Sequence, residues 1–313
     1  MAIAPGDVDL SVDVAGLSMK NPVALASGTA GYGRELSHAL RMETLGGFVT
    51  KGIALRPWEG NAPPRIAETS SGMLNAIGLQ NVGLEAFLRD KTPYLRELRA
   101  AGVRVVVNVI GKTVDEYHDV ARGLVGCDAI DALELNISCP NIKEGGIAFG
   151  MDCVAAAEVT AATVAGADKP VWVKLSPNVS DIAAMGRACE GAGASALAVI
   201  NTLLGLAIDL ERRRPLLSIG KGGLSGPAIK PVALRMVAEV SRACTIPVVG
   251  IGGIWNARDA LEFLVCGASA VQIGTANFVN PRTAEDVVEG MRIWCAEQGV
   301  ARVRDLIGSL KTG

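Results

Sequence analysis

Apolar positions in this chain come in short runs. Val23–Ala26, Gly47–Thr50, Val103–Val109, Ala132–Leu135, Val171–Val173, Ala196–Ile200, Val248–Ile251 and Ala270–Ile273 each read as a short buried strand. After each run comes a polar or glycine-bearing turn, and then a stretch with helical periodicity. Those stretches are Glu35–Glu43, Leu84–Ala101, Val114–Val125, Cys153–Val164, Ile182–Gly191, Ile229–Arg242 and Ala257–Val265, with Ala284–Glu297 after the last strand. Eight strands alternating with eight helices predict a closed parallel (β/α)8 TIM barrel, one domain over residues 1–313. An open doubly wound sheet is the alternative, but no G-x-G-x-x-G follows the first strand. Ahead of the barrel, Leu10–Met19 alternates and turns at Ala15-Gly16, predicting a β-hairpin placed to plug the bottom. Two long connections, Ala54–Gly83 and Leu203–Pro227, interrupt the rhythm and predict a lid or an interface over the C-terminal mouth.

Chemistry in such a barrel gathers where strands end. Those ends carry Ser27-Gly28, Lys51, Asn108, Asn136 with Cys139, Lys174 with Ser176, Asn201-Thr202, Gly252-Gly253 and Gly274-Thr275. The pattern describes one mouth lined by amides, lysines and a thiol. At the fourth strand, Pro140 biases Cys139 toward extended geometry and ends the run, so the thiol is aimed outward. The glycine-rich stretch that follows, residues 141–150, reads as a loop able to close over a ligand. Glycines after the last two strands (Gly250, Gly252 and Gly253, then Gly274) let backbone N–H groups approach an anion and predict a phosphate cradle. Lys51 and Lys174, buried by strand alternation, need an anion or polar ligand. With Asn75, Asn108, Asn136 and Asn201 they suit a flat, carbonyl-rich ring or a carboxylate. These residues alone predict a phosphate-bearing cofactor beside a polar planar substrate, with a thiol nearby.

Composition narrows the partners. Thirty basic and thirty-two acidic residues leave a net charge of -2 without a charge block, which argues against nucleic acid or anionic lipid. Half the residues are hydrophobic, yet no run reaches membrane-span length and no leader pattern opens the chain, so a cytoplasmic protein is expected. Seven cysteines without a CxxC pair predict neither disulfides nor a metal site, and all but Cys139 read as core filler. His38 and His118 are expected at the surface, leaving acid–base work to other groups.

Several motifs together resemble dihydroorotate dehydrogenase. They are Ala26-Ser27-Gly28-Thr29, Thr50-Lys51-Gly52, the run from Leu74 to Asn81, Asn136-Ile137-Ser138-Cys139-Pro140-Asn141, Val173-Lys174-Leu175-Ser176-Pro177-Asn178, Asn201-Thr202, Leu224-Ser225-Gly226-Pro227 and Gly250-Ile251-Gly252-Gly253. A cysteine in the base position resembles class 1 of that family. The Gly-Thr-x-Gly-Tyr-Gly run at 28–33, and Gln80 where fumarate-linked (class 1A) relatives tend to have proline, resemble class 1B, the NAD-linked type. The resemblance implies FMN held by Ser27, Lys51, Gly52, Asn108, Asn136, Lys174, Ile200, Gly226, Gly252, Gly253, Gly274 and Thr275. It implies substrate contacts from Lys51, Asn75, Ala76, Ile77, Gly78, Leu79, Asn136, Asn201 and Thr202, with Cys139 as catalytic base and no metal on this chain. It also implies a partner subunit carrying FAD and a 2Fe-2S centre, in a heterotetramer of two plus two built on a central homodimer. A tRNA dihydrouridine synthase also has an Asn-x-x-Cys-Pro element, but this chain lacks the basic face RNA requires. Two further alternatives are a Schiff-base aldolase using Lys174 and a non-catalytic metabolite-binding barrel.

Overall fold

The structure is a computed structural model that describes residues 3–138 and 149–311. Cys139 and the first eight residues of the predicted loop lie outside the described residues.

The N-terminal hairpin pairs β1 (Val12–Val14) with β2 (Leu17–Met19). Two barrel strands follow, β3 (Val23–Leu25) and β4 (Gly47–Val49). The first long connection contains β5 (Ile66–Thr69) and β6 (Gly72–Asn75), and then come α1 (Leu84–Asp90), α2 (Thr92–Ala100), β7 (Arg104–Val109) and α3 (Val114–Gly123). Next are β8 (Ala132–Asn136), α4 (Cys153–Gly166), β9 (Val171–Leu175), α5 (Ile182–Gly191) and β10 (Ala196–Val199). The second long connection holds β11 (Leu203–Gly205), β12 (Ile208–Asp209), β13 (Arg214–Pro215) and β14 (Gly222–Ser225). The chain finishes with α6 (Lys230–Ala243), β15 (Val248–Ile251), α7 (Ala257–Val265), β16 (Ala268–Ile273), the short α8 (Ala276–Val279) and α9 (Thr283–Glu297).

Strands β3, β4, β7, β8, β9, β10, β15 and β16 close in parallel into the predicted barrel. Residues Val105 to Val109 and Val171 to Leu175 are buried on both faces, as strands between a barrel core and a helical shell must be. Local chemistry sets several helix starts. Thr113, Asp152 and Asp181 each accept a backbone N–H three residues on, and Asn256 with Asp259 forms a reciprocal capping box. The hairpin does cover the N-terminal end. Arg104, first in β7, donates to the Ser18 carbonyl at 2.7 Å, and the Met19 methyl packs at Gly47, first in β4.

Three expectations need correction. Glu35–Glu43 is a series of turns ending in a 3-10 segment, Met42–Thr44. The Glu35 carboxylate turns back to accept the Tyr32 N–H and the Ser37 hydroxyl donates to the Arg34 carbonyl, local bonds that compete with helix. The helix expected over Leu84–Ala101 is two, broken at Lys91, where Pro93 has no N–H to continue the ladder. Of the six cysteines described, Cys189, Cys244 and Cys295 are buried, while Cys127, Cys153 and Cys266 are only half-buried. His38 is exposed and His118 partly so. No helix among the described residues is long and apolar enough to cross a membrane.

The two long connections pair with each other. Strands β11, β14, β6 and β5 form a four-stranded antiparallel sheet, with Asn75 opposite Gly223 and Ser225 opposite Met73. Segments far apart in sequence thereby become one roof.

Candidate active site

Beneath that roof, at the C-terminal ends of the barrel strands, lies a cavity of about 890 Å³, large enough for a cofactor and a small second ligand. Its lining contains every residue predicted for cofactor or substrate: Ser27, Lys51, Gly52, Asn75, Ala76, Ile77, Gly78, Leu79, Asn108, Asn136, Lys174, Ile200, Asn201, Thr202, Gly226, Gly252, Gly253, Gly274 and Thr275. Cys139, predicted as the base, lies outside the described residues, one position beyond the lining residue Ser138.

The floor is a polar layer across the barrel. Glu134 is fully buried and accepts from Asn108 Nδ2 at 2.8 Å on Oε1, and from Gln272 Nε2 at 2.6 Å on Oε2. Lys174 Nζ stands 3.8 Å from Glu134 Oε1 and donates to Ser27 Oγ at 3.3 Å. Glu134 and Gln272 are not among the residues predicted for the site, although the sequence carries a signal for both. Each is a lone polar residue between apolar neighbours in a barrel strand, Leu133-Glu134-Leu135 and Val271-Gln272-Ile273. In a strand covered on both faces, such a residue faces a polar partner or carries a large desolvation cost.

The walls are braced from behind. Asn136 ends β8, and its Oδ1 accepts the Ser138 N–H at 3.2 Å and Asn201 Nδ2 at 3.3 Å. Its backbone carbonyl accepts the hydroxyl of buried Tyr117 at 2.8 Å, and Phe149 packs edge-on against that ring. Asn178 donates to the Thr202 carbonyl at 3.1 Å and accepts the Leu204 N–H at 2.9 Å, fixing the strand end after β10. In the roof, Asn75 Nδ2 donates to the Gly223 carbonyl at 3.3 Å and Asn61 Nδ2 to the Ala76 carbonyl at 2.9 Å. Asn81 faces away from the cavity and pins this loop. Its Oδ1 accepts from the Ala54 and Gly83 N–H groups, and its Nδ2 donates to the Leu79 carbonyl.

Charge in the lining has one sign. Among the described residues it includes Lys51, Lys112, Lys174 and Lys221 and no Asp or Glu, with Glu134 just below. Such a cavity draws in anions. Burial, and next the Arg65 charge, push the Lys51 ammonium below the usual lysine range, against the opposing pull of Glu35. An anionic ligand offsets that penalty. Lys112 Nζ lies 4.8 Å from the Trp58 ring centroid, tying the loop after β4 to the one after β7.

At the opposite end, Gly252 and Gly253 have φ of +125° and +75°. A Cβ on Gly253 would stand 2.8 Å from Lys230 Cβ and N, and 2.9 Å from the Gly226 carbonyl. Only glycine fits that close approach. The N–H groups of Gly253, Gly274 and Thr275 meet no backbone acceptor among the described residues, leaving donors for an anion. The Thr275 hydroxyl donates to Ser225 Oγ at 2.8 Å and joins this end to the roof.

A family model described as dihydroorotate dehydrogenase matches residues 9–293. The chain is 57% identical over 302 residues to the dihydroorotate dehydrogenase B (NAD(+)) catalytic subunit of Trichlorobacter lovleyi, covering 96% of this chain and 98% of that one. It is 54% identical over 303 residues to the subunit of the same name from Pelobacter propionicus, with 97% and 99% covered. It is also 54% identical over 307 residues to that of Geotalea uraniireducens, with 98% and 100% covered. A family match over most of the chain, on a closed barrel whose mouth gathers the predicted residues, leads to one conclusion: the chain belongs to the dihydroorotate dehydrogenase family.

Proposed function

We propose that this chain is the catalytic subunit of an NAD-linked dihydroorotate dehydrogenase of pyrimidine biosynthesis, oxidising (S)-dihydroorotate to orotate with FMN in the cavity. What supports the cofactor is the fit of the residues present. The backbone N–H groups of Gly253, Gly274 and Thr275 suit one phosphate, and Lys174 supplies a cation at the floor. Gln272 Oε1, buried without a partner, supplies an acceptor for a ligand donor. Bound FMN supplies the hydride acceptor for the C6 hydrogen of the substrate.

The chain's own residues do the rest. Lys51 meets the substrate carboxylate, and Asn75, Asn136, Asn201 and Thr202 bond the polar edge of the ring, assisted by the backbone of Ala76, Ile77, Gly78 and Leu79. Cys139, as thiolate, takes the C5 proton, so that the proton and the hydride leave from adjacent carbons and a ring double bond forms. A free thiol titrates at about 8.5, so turnover rises with pH toward that range. Lys174 places positive charge where the electron-rich reduced cofactor needs it.

In this reading electrons leave for NAD through a partner subunit carrying FAD and a 2Fe-2S centre, in the cytoplasm, and two copies of each subunit assemble around a homodimer of this chain. The names of the relatives support the NAD-linked type. Exposed Leu204, Leu206, Ile208 and Leu210 on the second long connection, each more than half accessible, support a buried interface there in the assembly.

The observation that carries the proposal is the meeting of Lys51, Asn136, Lys174 and Asn201 with a glycine cradle in one cavity of a chain from this family. The test is anaerobic. Dihydroorotate should bleach the flavin band of the purified chain, and neither NAD nor fumarate should restore it quickly without the partner. Rapid reoxidation by fumarate would replace the NAD-linked reading with the class 1A one. Full-rate NAD reduction by this chain alone would remove the partner. Cys139→Ser should stay yellow and folded but be reduced far more slowly; an unchanged rate would remove Cys139 as base.

A further inference from the structure

We infer that Glu134 is the positioning residue of the flavin site: it balances Lys174 and fixes which way the amides of Asn108 and Gln272 point. The inference rests on the FMN reading above.

Strands β8 and β16 stand diametrically opposite in the barrel, so the Glu134–Gln272 hydrogen bond spans its full width. A carboxylate can only accept. Both neighbouring amides must therefore turn their NH2 groups toward Glu134, at 2.8 Å for Asn108 and 2.6 Å for Gln272. This decides the opposite end of each amide. Gln272 Oε1 is left buried and unpartnered in a residue 1% exposed that lines the cavity, a costly arrangement unless a ligand donor meets it. A glutamine free of Glu134 is able to flip and present NH2 instead; one held by a carboxylate is not. The acceptor is thus preorganised for an N–H or O–H of the cofactor.

The second role is electrostatic. Lys174 is 5% exposed, and the only carboxylate within 4 Å of its Nζ among the described residues is that of Glu134. Part of its charge is spent on that partner, so Glu134 sets how strongly the ammonium favours added electrons on a cofactor above it. Removing the carboxylate while keeping its shape leaves the cation less balanced and favours the reduced cofactor.

The test uses the FMN-loaded full chain and three variants. Glu134→Gln should raise the flavin midpoint potential, shifting the reduced-to-oxidised ratio at fixed potential about tenfold, or about 30 mV for a two-electron couple. Glu134→Asp, which keeps the charge, should return it most of the way toward wild type. Gln272→Leu should bind FMN at least about tenfold more weakly, as expected when one buried hydrogen bond is lost. A folded, loaded Glu134→Gln protein with the wild-type potential would overturn the charge role. Wild-type FMN affinity in Gln272→Leu would overturn the polarity role, and that measurement stands even if Glu134→Gln does not fold. Failure of the wild-type chain to take up FMN would instead sink the cofactor reading itself.

Discussion

Replacing Gly253 with alanine separates the geometry of the cradle from ordinary packing. At φ +75° an L-residue is left-handed, which costs about 1–2 kcal/mol. The new methyl would also stand 2.8 Å from Lys230 N and 2.9 Å from the Gly226 carbonyl. Because both are backbone atoms they cannot swing aside, and overpacking of this kind costs about 1–3 kcal/mol. Together the loss is about 2–5 kcal/mol against a total stability of about 5–15 kcal/mol. With about 2–4 °C lost per kcal/mol in a large domain, the protein free of cofactor should melt roughly 4–20 °C lower by calorimetry. On the proposed FMN reading, displacing the Gly253 N–H should also weaken FMN binding by about 1.5–3 kcal/mol, roughly ten- to a hundredfold by fluorescence titration. Gly274→Ala is the internal control, since its methyl would meet Ala26 Cβ at 3.4 Å and Thr29 at 3.5 Å, ordinary contacts at an unstrained φ. Its melting temperature should stay near wild type. Equal melting of the two variants would refute the claim that strain at Gly253 is local and specific.

Two further outcomes follow from the walls. Asn81→Ala strands the Ala54 and Gly83 N–H groups and the Leu79 carbonyl, so denaturant unfolding should show a loss of about 3 kcal/mol or more, with faster amide exchange over residues 76–80; exchange unchanged there would show that Asn81 does not pin the loop. Because burial lowers the Lys51 pKa from 10.5, Lys51 sheds its charge earlier than a free lysine as pH rises. On the proposed contact between Lys51 and the substrate carboxylate, affinity for the orotate anion should therefore fall on the alkaline side before pH 10.5, and Lys51→Met should abolish that limb. The linkage runs the other way for the unliganded protein: the unfolded state binds the proton more tightly, so the penalty of a charged Lys51 is present at low pH and is relieved as pH rises through this window.

Much of the site was readable because barrel topology turns strand ends into a common mouth. Ser27, Lys51, Asn201 and Thr202 needed only the eight apolar runs to be placed together. The Gly252-Gly253 pair was readable too, since positive φ and close approach leave few substitutes. Other features depended on partners remote in sequence. Glu134 and Gln272 are 138 residues apart and sit on opposite sides of the barrel, and only closure makes them a pair. The first crossover shows the reverse: helical spacing over Glu35–Glu43 lost to local bonds from Glu35 and Ser37.

The sequence by itself determined the eight barrel strands, the hairpin, most helix starts and most of the residues at the mouth, because each follows from short-range periodicity, capping and strand-end position. Tertiary structure alone decided that the two long connections pair into one roof, that Asn81 serves the loop while Asn75 serves the cavity, and that a carboxylate lies beneath the lysine. Those outcomes depend on which distant strands become neighbours when the barrel closes, and in a buried site the energy of a polar group is set by the partner it meets.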